Sequence, residues 1–199
     1  MESYSIASLT KRLYDSELSI LRLKTLKDIL GVTKEPTVYS IIKRLEKSKI
    51  IKKIERDHYV FLGRPVTDFE IASSSYTPSY ISFESALNSL GILPQFPYEI
   101  TSATSGKSVK KKMFEKLFTY THLNKSLFWG YEKKENYLIA EAEKALLDQL
   151  YLVSKGIKTI HLEECDFSSI KISKFIHYSK QFPRTRSFET MIETVKKHI

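Results

Sequence analysis

Ile6, Leu9 and Leu13 stand three and four residues apart, the spacing of one buried stripe on an amphipathic helix. The short run ILRLK at 20–24 reads as a strand. In TLKDILG, Thr25 and Asp28 form a capping-box-like start, Leu26, Ile29 and Leu30 give one apolar face, and Gly31 supplies a stop. A helix of about two turns is expected there. A second follows the turn VTKE, with Pro36 at its first position, where a missing N–H costs nothing, and Val38, Ile41, Ile42 and Leu45 as its buried stripe. KIIKKIERDHYVF then supplies two β-rich runs parted by Glu55, Arg56 and Asp57, a hairpin with ILRLK as its third strand.

Residues 63–80, GRPVTDFEIASSSYTPSY, are rich in Ser, Thr and Pro and interrupt these patterns, which sets a boundary. Beyond it a helix is expected from Ser82, with Phe83, Ala86, Leu87 and Leu90 apolar and Gly91 closing it. YEITSAT alternates as a strand does, SGKSVKKKMFEK reads as a basic loop or turn, LFTYTHL and SLFWGY as further strands, and YLIA runs into a helix over IAEAEKALLDQLY. In that helix Ile139, Ala142, Ala145, Leu146 and Leu150 make the buried stripe, leaving Glu141, Lys144 and Asp148 outside as an ion ladder. Two amphipathic helices close the chain, one marked by Ile172, Phe175 and Ile176, the other by Phe188, Met191, Ile192, Val195 and Ile199. The expected architecture is α+β: a winged helix-turn-helix domain over 1–66, a linker over 67–78, and a mixed α/β domain over 79–199.

Composition bounds the class without naming it. With 42% hydrophobic and 28% charged residues the chain has the make-up of a globular protein. It contains no run of 18 apolar residues and no apolar leader core after Met1, so a cytoplasmic location without membrane contact is expected. The lone Cys165 and five scattered histidines lack the spacing of a zinc site, and the thiol is expected to be a buried bystander.

Charge changes the picture more. Of the formal +9, the excess lies at the two ends: 13 Lys and Arg against 8 Asp and Glu over 1–61, 7 against 2 over 171–199, and near balance between. Opposite the buried stripe of the helix at 36–47 lie Ser40, Lys43 and Lys47, flanked by Thr37, Tyr39 and Arg44. With Lys34 before the helix and Arg56 at the hairpin tip, these are the candidate contacts to double-stranded DNA. Lysine and arginine reach phosphates or guanine edges, and hydroxyls contact bases. Lys107, Lys110, Lys111 and Lys112 are candidate secondary phosphate contacts, and Lys171, Lys174, Lys180, Arg184, Arg186, Lys196 and Lys197 form another basic face whose commoner meaning is solvation.

Catalytic patterns are incomplete. Glu141, Glu143 and Asp148 around Lys144 lack converging histidines, since His122 and His161 fall on strand-like patterns. Glu132-Lys133-Lys134 has the Glu-x-Lys form of metal-dependent nucleases, yet THLNKSLFWGY before it offers no carboxylate, and a polar hairpin turn explains it better. No glycine-rich phosphate loop, nucleophile elbow or His-Glu-x-x-His is present. No enzymatic activity, cofactor or metal is expected.

PSYISFESALNSLGILPQFPYEITSAT at 78–104, FWGY at 128–131 and LIAEAEKALLDQLY at 138–151, preceded by the winged-helix pattern, resemble the AbiEi-type antitoxins of bacterial type IV toxin-antitoxin systems over nearly the whole chain. The resemblance implies an N-terminal domain that represses its own operon by binding inverted repeats in promoter DNA. It also implies a C-terminal domain that counteracts a nucleotidyltransferase-like toxin encoded next door, without a stable complex, in a phage-defence setting. The chain departs from that family's signature at Ala142, where a proline usually precedes the Glu-Lys pair. Two other readings stand beside it: a ligand-responsive winged-helix repressor with a pocket in its second domain, and a nuclease with a DNA-targeting module.

Overall fold

Ser5 opens the first helix by accepting the N–H of Ser8 on its hydroxyl at 3.2 Å. In the computed structural model, which describes residues 4–198, this helix is α1 (Ile6–Asp15), followed by β1 (Ile20–Arg22), α2 (Leu23–Leu30), α3 (Glu35–Lys47), β2 (Ile51–Glu55), β3 (His58–Phe61) and α4 (Asp68–Ser75). β3 lies between β1 and β2, antiparallel to both. Leu9, Leu13, Leu26, Leu30, Val38, Ile41, Leu45 and Phe61 close one core with this sheet.

Gly31 ends α2 in the left-handed conformation (φ 66°), and the N–H groups of Gly31 and Val32 return to the carbonyls of Asp28 and Lys27. Arg12 satisfies a further orphan carbonyl there, donating to Leu30 at 2.9 Å. The start of α2 differs from expectation. It begins at Leu23, because the Leu23 N–H is held by the Asp57 carbonyl of the hairpin turn (2.9 Å), so β1 runs straight into the helix and Thr25 lies inside it. Pro36 is the second residue of α3, after Glu35. The hairpin turn is Arg56 and Asp57 alone, with Asp57 at φ 60°.

The chain divides into two units, residues 1–75 and 76–199. Within the expected linker over 67–78, Asp68–Ser75 is the helix α4. Its signal is a capping box: the Glu70 carboxylate accepts the N–H of Thr67 at 2.7 Å and its hydroxyl at 3.0 Å, while the Glu70 N–H is 3.3 Å from that hydroxyl. The Ser-rich end of the segment masked it.

In the second unit come β4 (Ser79–Ile81), α5 (Phe83–Ser89), β5 (Glu99–Thr104), β6 (Val109–Met113), β7 (Lys116–His122), β8 (Tyr131–Lys134), β9 (Tyr137–Ala140), α6 (Ala142–Ser154), α7 (Ile172–Ser179) and α8 (Arg186–Lys196). The sheet order is β6-β7-β5-β4-β9-β8, mixed, with β5-β7 and β4-β9 parallel. Three expectations change here. The basic loop is the edge strand β6, joined to β7 by Phe114 and Glu115, both at positive φ (49° and 63°), a tight turn without the usual Asn-Gly signal. SLFWGY is not a strand: Lys125–Leu127 is a 3-10 turn capped by Asn124, and Gly130 (φ 72°) leads into β8. Glu132-Lys133-Lys134 lies within β8, whose cross-strand partner β9 begins after Glu135 and Asn136, so the hairpin turn follows this run instead of containing it. No helix among the described residues is long and apolar enough to cross a membrane.

Thr67→Ala removes the hydroxyl of the capping box and should lower the urea-unfolding free energy of the first unit by about 1 kcal/mol, with Thr67→Ser retaining most of it. Equal stability of Thr67→Ala and the parent chain would show that α4 does not depend on this cap.

Candidate functional site

The four aliphatic residues of α3 turn inward, with Val38, Ile41, Ile42 and Leu45 all buried. Ser40, Lys43 and Lys47 are exposed on the opposite side, Tyr39 is 45% exposed at one flank, and Thr37 is half-buried at the other. Lys34 is exposed at the N-terminal end of the helix, where the unsatisfied N–H groups already favour an anion. Arg44 is exposed, yet one guanidinium nitrogen donates to the Tyr4 carbonyl at 3.0 Å, so this side chain has a holding role as well as a charge. Lys27 reaches Glu35 at 2.8 Å and its hydrogen bond holds that carboxyl below its usual range, keeping an anion at the helix start.

On the hairpin, the Arg56 side chain is 95% exposed, 3.7 Å from the Asp57 carboxylate. Lys52 and Lys53 of β2 are exposed as well and were missed as candidates, although the run KIIKK signals them. The structure thus brings Thr37, Tyr39, Ser40, Lys43, Arg44 and Lys47 together on one helix, with Lys34 at its start and Arg56 on a separate element.

The candidate secondary contacts are distributed differently. Lys107 precedes β6, and Lys110 and Lys112 point to one side of it, 3.7 Å from Glu99 and 2.6 Å from Glu115 respectively, while the Lys111 ammonium lies 5.8 Å from the centre of the Tyr76 ring. Lysines along an open strand edge discourage pairing with another chain. Of the C-terminal cations, Lys174 is committed to Glu141 and Glu143 at 3.0 and 3.3 Å.

The ion ladder expected outside α6 is overturned. Residues 143–152 are all buried, and Lys144 and Asp148 are each 0% exposed. Their ion pair is joined by the Tyr80 hydroxyl, which accepts from Lys144 Nζ at 2.9 Å and donates to Asp148 Oδ2 at 2.8 Å, and by the Ser82 hydroxyl, which donates to the same oxygen at 2.8 Å. The ammonium sits 5.1 to 5.4 Å from the ring centres of Trp129, Phe182 and Tyr80. Gly130 is required beside it, since a Cβ there would lie 2.9 Å from Lys144 Cγ. Burial pushes the Lys144 ammonium down and the Asp148 carboxyl up, each opposed by the attraction of the other; it also pushes the Tyr80 phenol well up. Sealed from solvent, this group fixes geometry and offers no place for a substrate. Glu141 is the N-cap of α6, so Ala142 occupies the first helical position, one that tolerates proline equally well.

Glu132 and Lys134 pair with one another at 2.6 Å on β8. His122 ends β7, while His161 is outside any strand. Cys165 is half-buried rather than enclosed, and burial together with Glu163 and Glu164 pushes its thiol up to about 11.

No protein-family model and no curated protein matches the chain. Three chains of solved structures do, among them the crystal structure of the RV2827C protein from Mycobacterium tuberculosis. That match covers 95% of this chain and 82% of the other, with a TM-score of 0.51 at 12% identity, a likeness of fold.

Lys144→Met or Asp148→Leu alone strands a buried charge and should cost about 3–5 kcal/mol in unfolding free energy. The double variant should cost less than the sum of the two by more than about 1 kcal/mol. Urea unfolding followed by the fluorescence of the single tryptophan, Trp129, reads both; strict additivity would mean that the pair is not coupled.

Proposed function

We propose that the first unit is a winged helix-turn-helix domain that binds double-stranded DNA, with α3 as the recognition helix and the β2-β3 hairpin as the wing. The observation that carries this reading is the sidedness of α3: its aliphatic residues are buried while Ser40, Lys43 and Lys47 stand in water. The order of helix, strand, two helices and hairpin supports it. Phosphate contacts from Lys34, Lys43 and Lys47 would supply affinity and position, and Thr37, Tyr39 and Ser40 would meet base edges. Arg56, exposed at the hairpin tip, would reach a neighbouring groove or the backbone.

The second unit is read as an antitoxin domain that counteracts a nucleotidyltransferase-type toxin, on the resemblance of residues 78–104 and 138–151 to the AbiEi-type antitoxins. The whole chain is then an autorepressor and antitoxin of a type IV operon, acting in the cytoplasm.

A mobility-shift assay on the inverted repeats upstream of its own reading frame tests the DNA reading. About six phosphate contacts give a slope near −5 in a plot of log affinity against log salt, and Lys43→Ala with Lys47→Ala should flatten it by roughly 2. A salt-independent affinity, or a double variant that binds as the parent does, would remove the recognition-helix assignment.

The antitoxin reading has a separate test. Growth arrest by the product of the adjacent gene should be relieved when this chain is coexpressed, and also when its residues 76–199 are supplied behind an unrelated DNA-binding domain. Arrest that persists with the full chain sinks the reading.

A further inference from the structure

Phe96 and Tyr98 are 91% and 96% exposed, the reverse of how large aromatic side chains ordinarily sit. Their loop is held in place. Pro94 and Pro97 fix the backbone on either side of Phe96, and the Asn88 amide donates to the carbonyls of Leu93 and Gln95, both at 3.0 Å. The two rings line a cleft of about 390 Å³ shared with α5, α6 and the segment 159–164, a volume within the range of small-ligand sites.

The polar groups of this cleft are mainly acceptors. Gln149, 0% exposed on α6, donates its amide nitrogen to Glu84 Oε1 at 3.1 Å and to the Thr159 carbonyl at 2.9 Å. Those two bonds fix which way the amide faces, and its oxygen is left with no hydrogen-bond partner among the described residues. A buried acceptor without a donor is costly, and a ligand N–H or a single water is what relieves it. Glu84 also takes Lys158 on both carboxylate oxygens, at 2.7 and 2.6 Å, and Glu164 takes the amide of Gln95 at 2.9 Å. One carboxylate is therefore neutralised and the other is not. His161 stands at the rim, 71% exposed and 3.5 Å from Glu163.

An anionic ligand would meet the Glu164 carboxylate, while the Lys158 ammonium is already taken by Glu84. A group rich in N–H donors, planar enough to lie on an aromatic face and positively charged, matches the two rings and the Glu164 carboxylate. Guanidinium has that shape: five donors in a rigid fork, weak hydration, and a preference for stacking on rings and meeting carboxylates. An ammonium is a compact point charge and would not span the acceptors and the rings together. We propose that this cleft binds a guanidinium group, carried either by a free small molecule or by an arginine side chain of a partner polypeptide.

The test is a nuclear magnetic resonance titration of the full chain, following the Gln149 side-chain amide and the Tyr98 ring. Three probes are added in turn: free arginine, the capped peptide acetyl-Gly-Arg-Gly-amide, and the same peptide with lysine in place of arginine. Saturable shifts are expected with at least one arginine probe, and binding of the lysine peptide roughly tenfold weaker or less. Binding of free arginine alone identifies a small-molecule site, and binding of the capped peptide identifies a polypeptide partner. Phe96→Ala with Tyr98→Ala, both at exposed positions that leave the core untouched, should weaken binding by about tenfold or more, and Glu164→Gln should do likewise. No saturable response to either arginine probe, equal binding of the lysine peptide, or undiminished binding by the Phe96/Tyr98 variant overturns the proposal. None of these readouts depends on whether the first unit binds DNA.

Discussion

The second unit is organised around two charges placed where water cannot reach them. Lys144 and Asp148 are one helical turn apart on α6, and at 0% exposure neither retains any hydration. Removing two ions from water costs several kcal/mol apiece, and their attraction offsets this only when the remaining lone pairs and protons are also satisfied. That requirement dictates the surroundings. Tyr80 and Ser82 must stand on β4 and just after it with their hydroxyls turned to Asp148. Trp129 and Phe182 must bring ring faces to the ammonium from the loop before β8 and from the residues after α7. Gly130 must lack a side chain. One ion pair thus couples residues as far apart in the chain as Tyr80, Gly130 and Phe182, which local propensity alone would not do.

This also explains where sequence reasoning succeeded and where it did not. Elements with one wet face were legible: α3 shows Val38, Ile41, Ile42 and Leu45 at helical spacing because its other side is in solvent, and Gly31 marks a stop because only it takes φ 66° without strain. A helix enclosed on all sides carries no such contrast. In α6, charged residues three and four apart have the same spacing whether they form a surface ladder or a buried pair, and nothing in IAEAEKALLDQLY separates the two. The information lies at Tyr80, Ser82 and Gly130, far away in the chain. The edge strand β6 was hidden for a different reason: three consecutive lysines are poor strand formers, and their place is set by pairing with β7, reached through a turn of Phe114 and Glu115 that carries no glycine. At α4 the capping box is legible at Thr67 and Glu70, while the three serines that end the helix carry the composition of a loop.

The same contrast governs the cations. A net charge of +9 says little until each cation is assigned a partner. In the second unit Lys144, Lys158 and Lys174 are bound to Asp148, to Glu84, and to Glu141 with Glu143, so these lysines are structural. In the first unit Lys43 and Lys47 project from a helix whose other face is the core, in line with Ser40. Net charge locates the basic ends of the chain, and only packing separates cations that hold the fold from those left in solvent.

One consequence joins the buried pair to the cleft. Gln149 follows Asp148 directly on α6, so the residue whose amide oxygen faces no donor is held by the same turn of helix that the ion pair immobilises. Its amide nitrogen is spent on Glu84 and Thr159, and Glu84 is in turn clamped by Lys158. An acceptor fixed this way cannot rotate to find a partner, and a rigid helix carries it more reliably than a loop would. At the rim, Phe96 between Pro94 and Pro97 and Tyr98 directly after them stand in water on a loop held by Asn88. With a floor that cannot move and a rim that already exposes its apolar surface, the ligand proposed for the cleft would cover the rings with little ordering left to do.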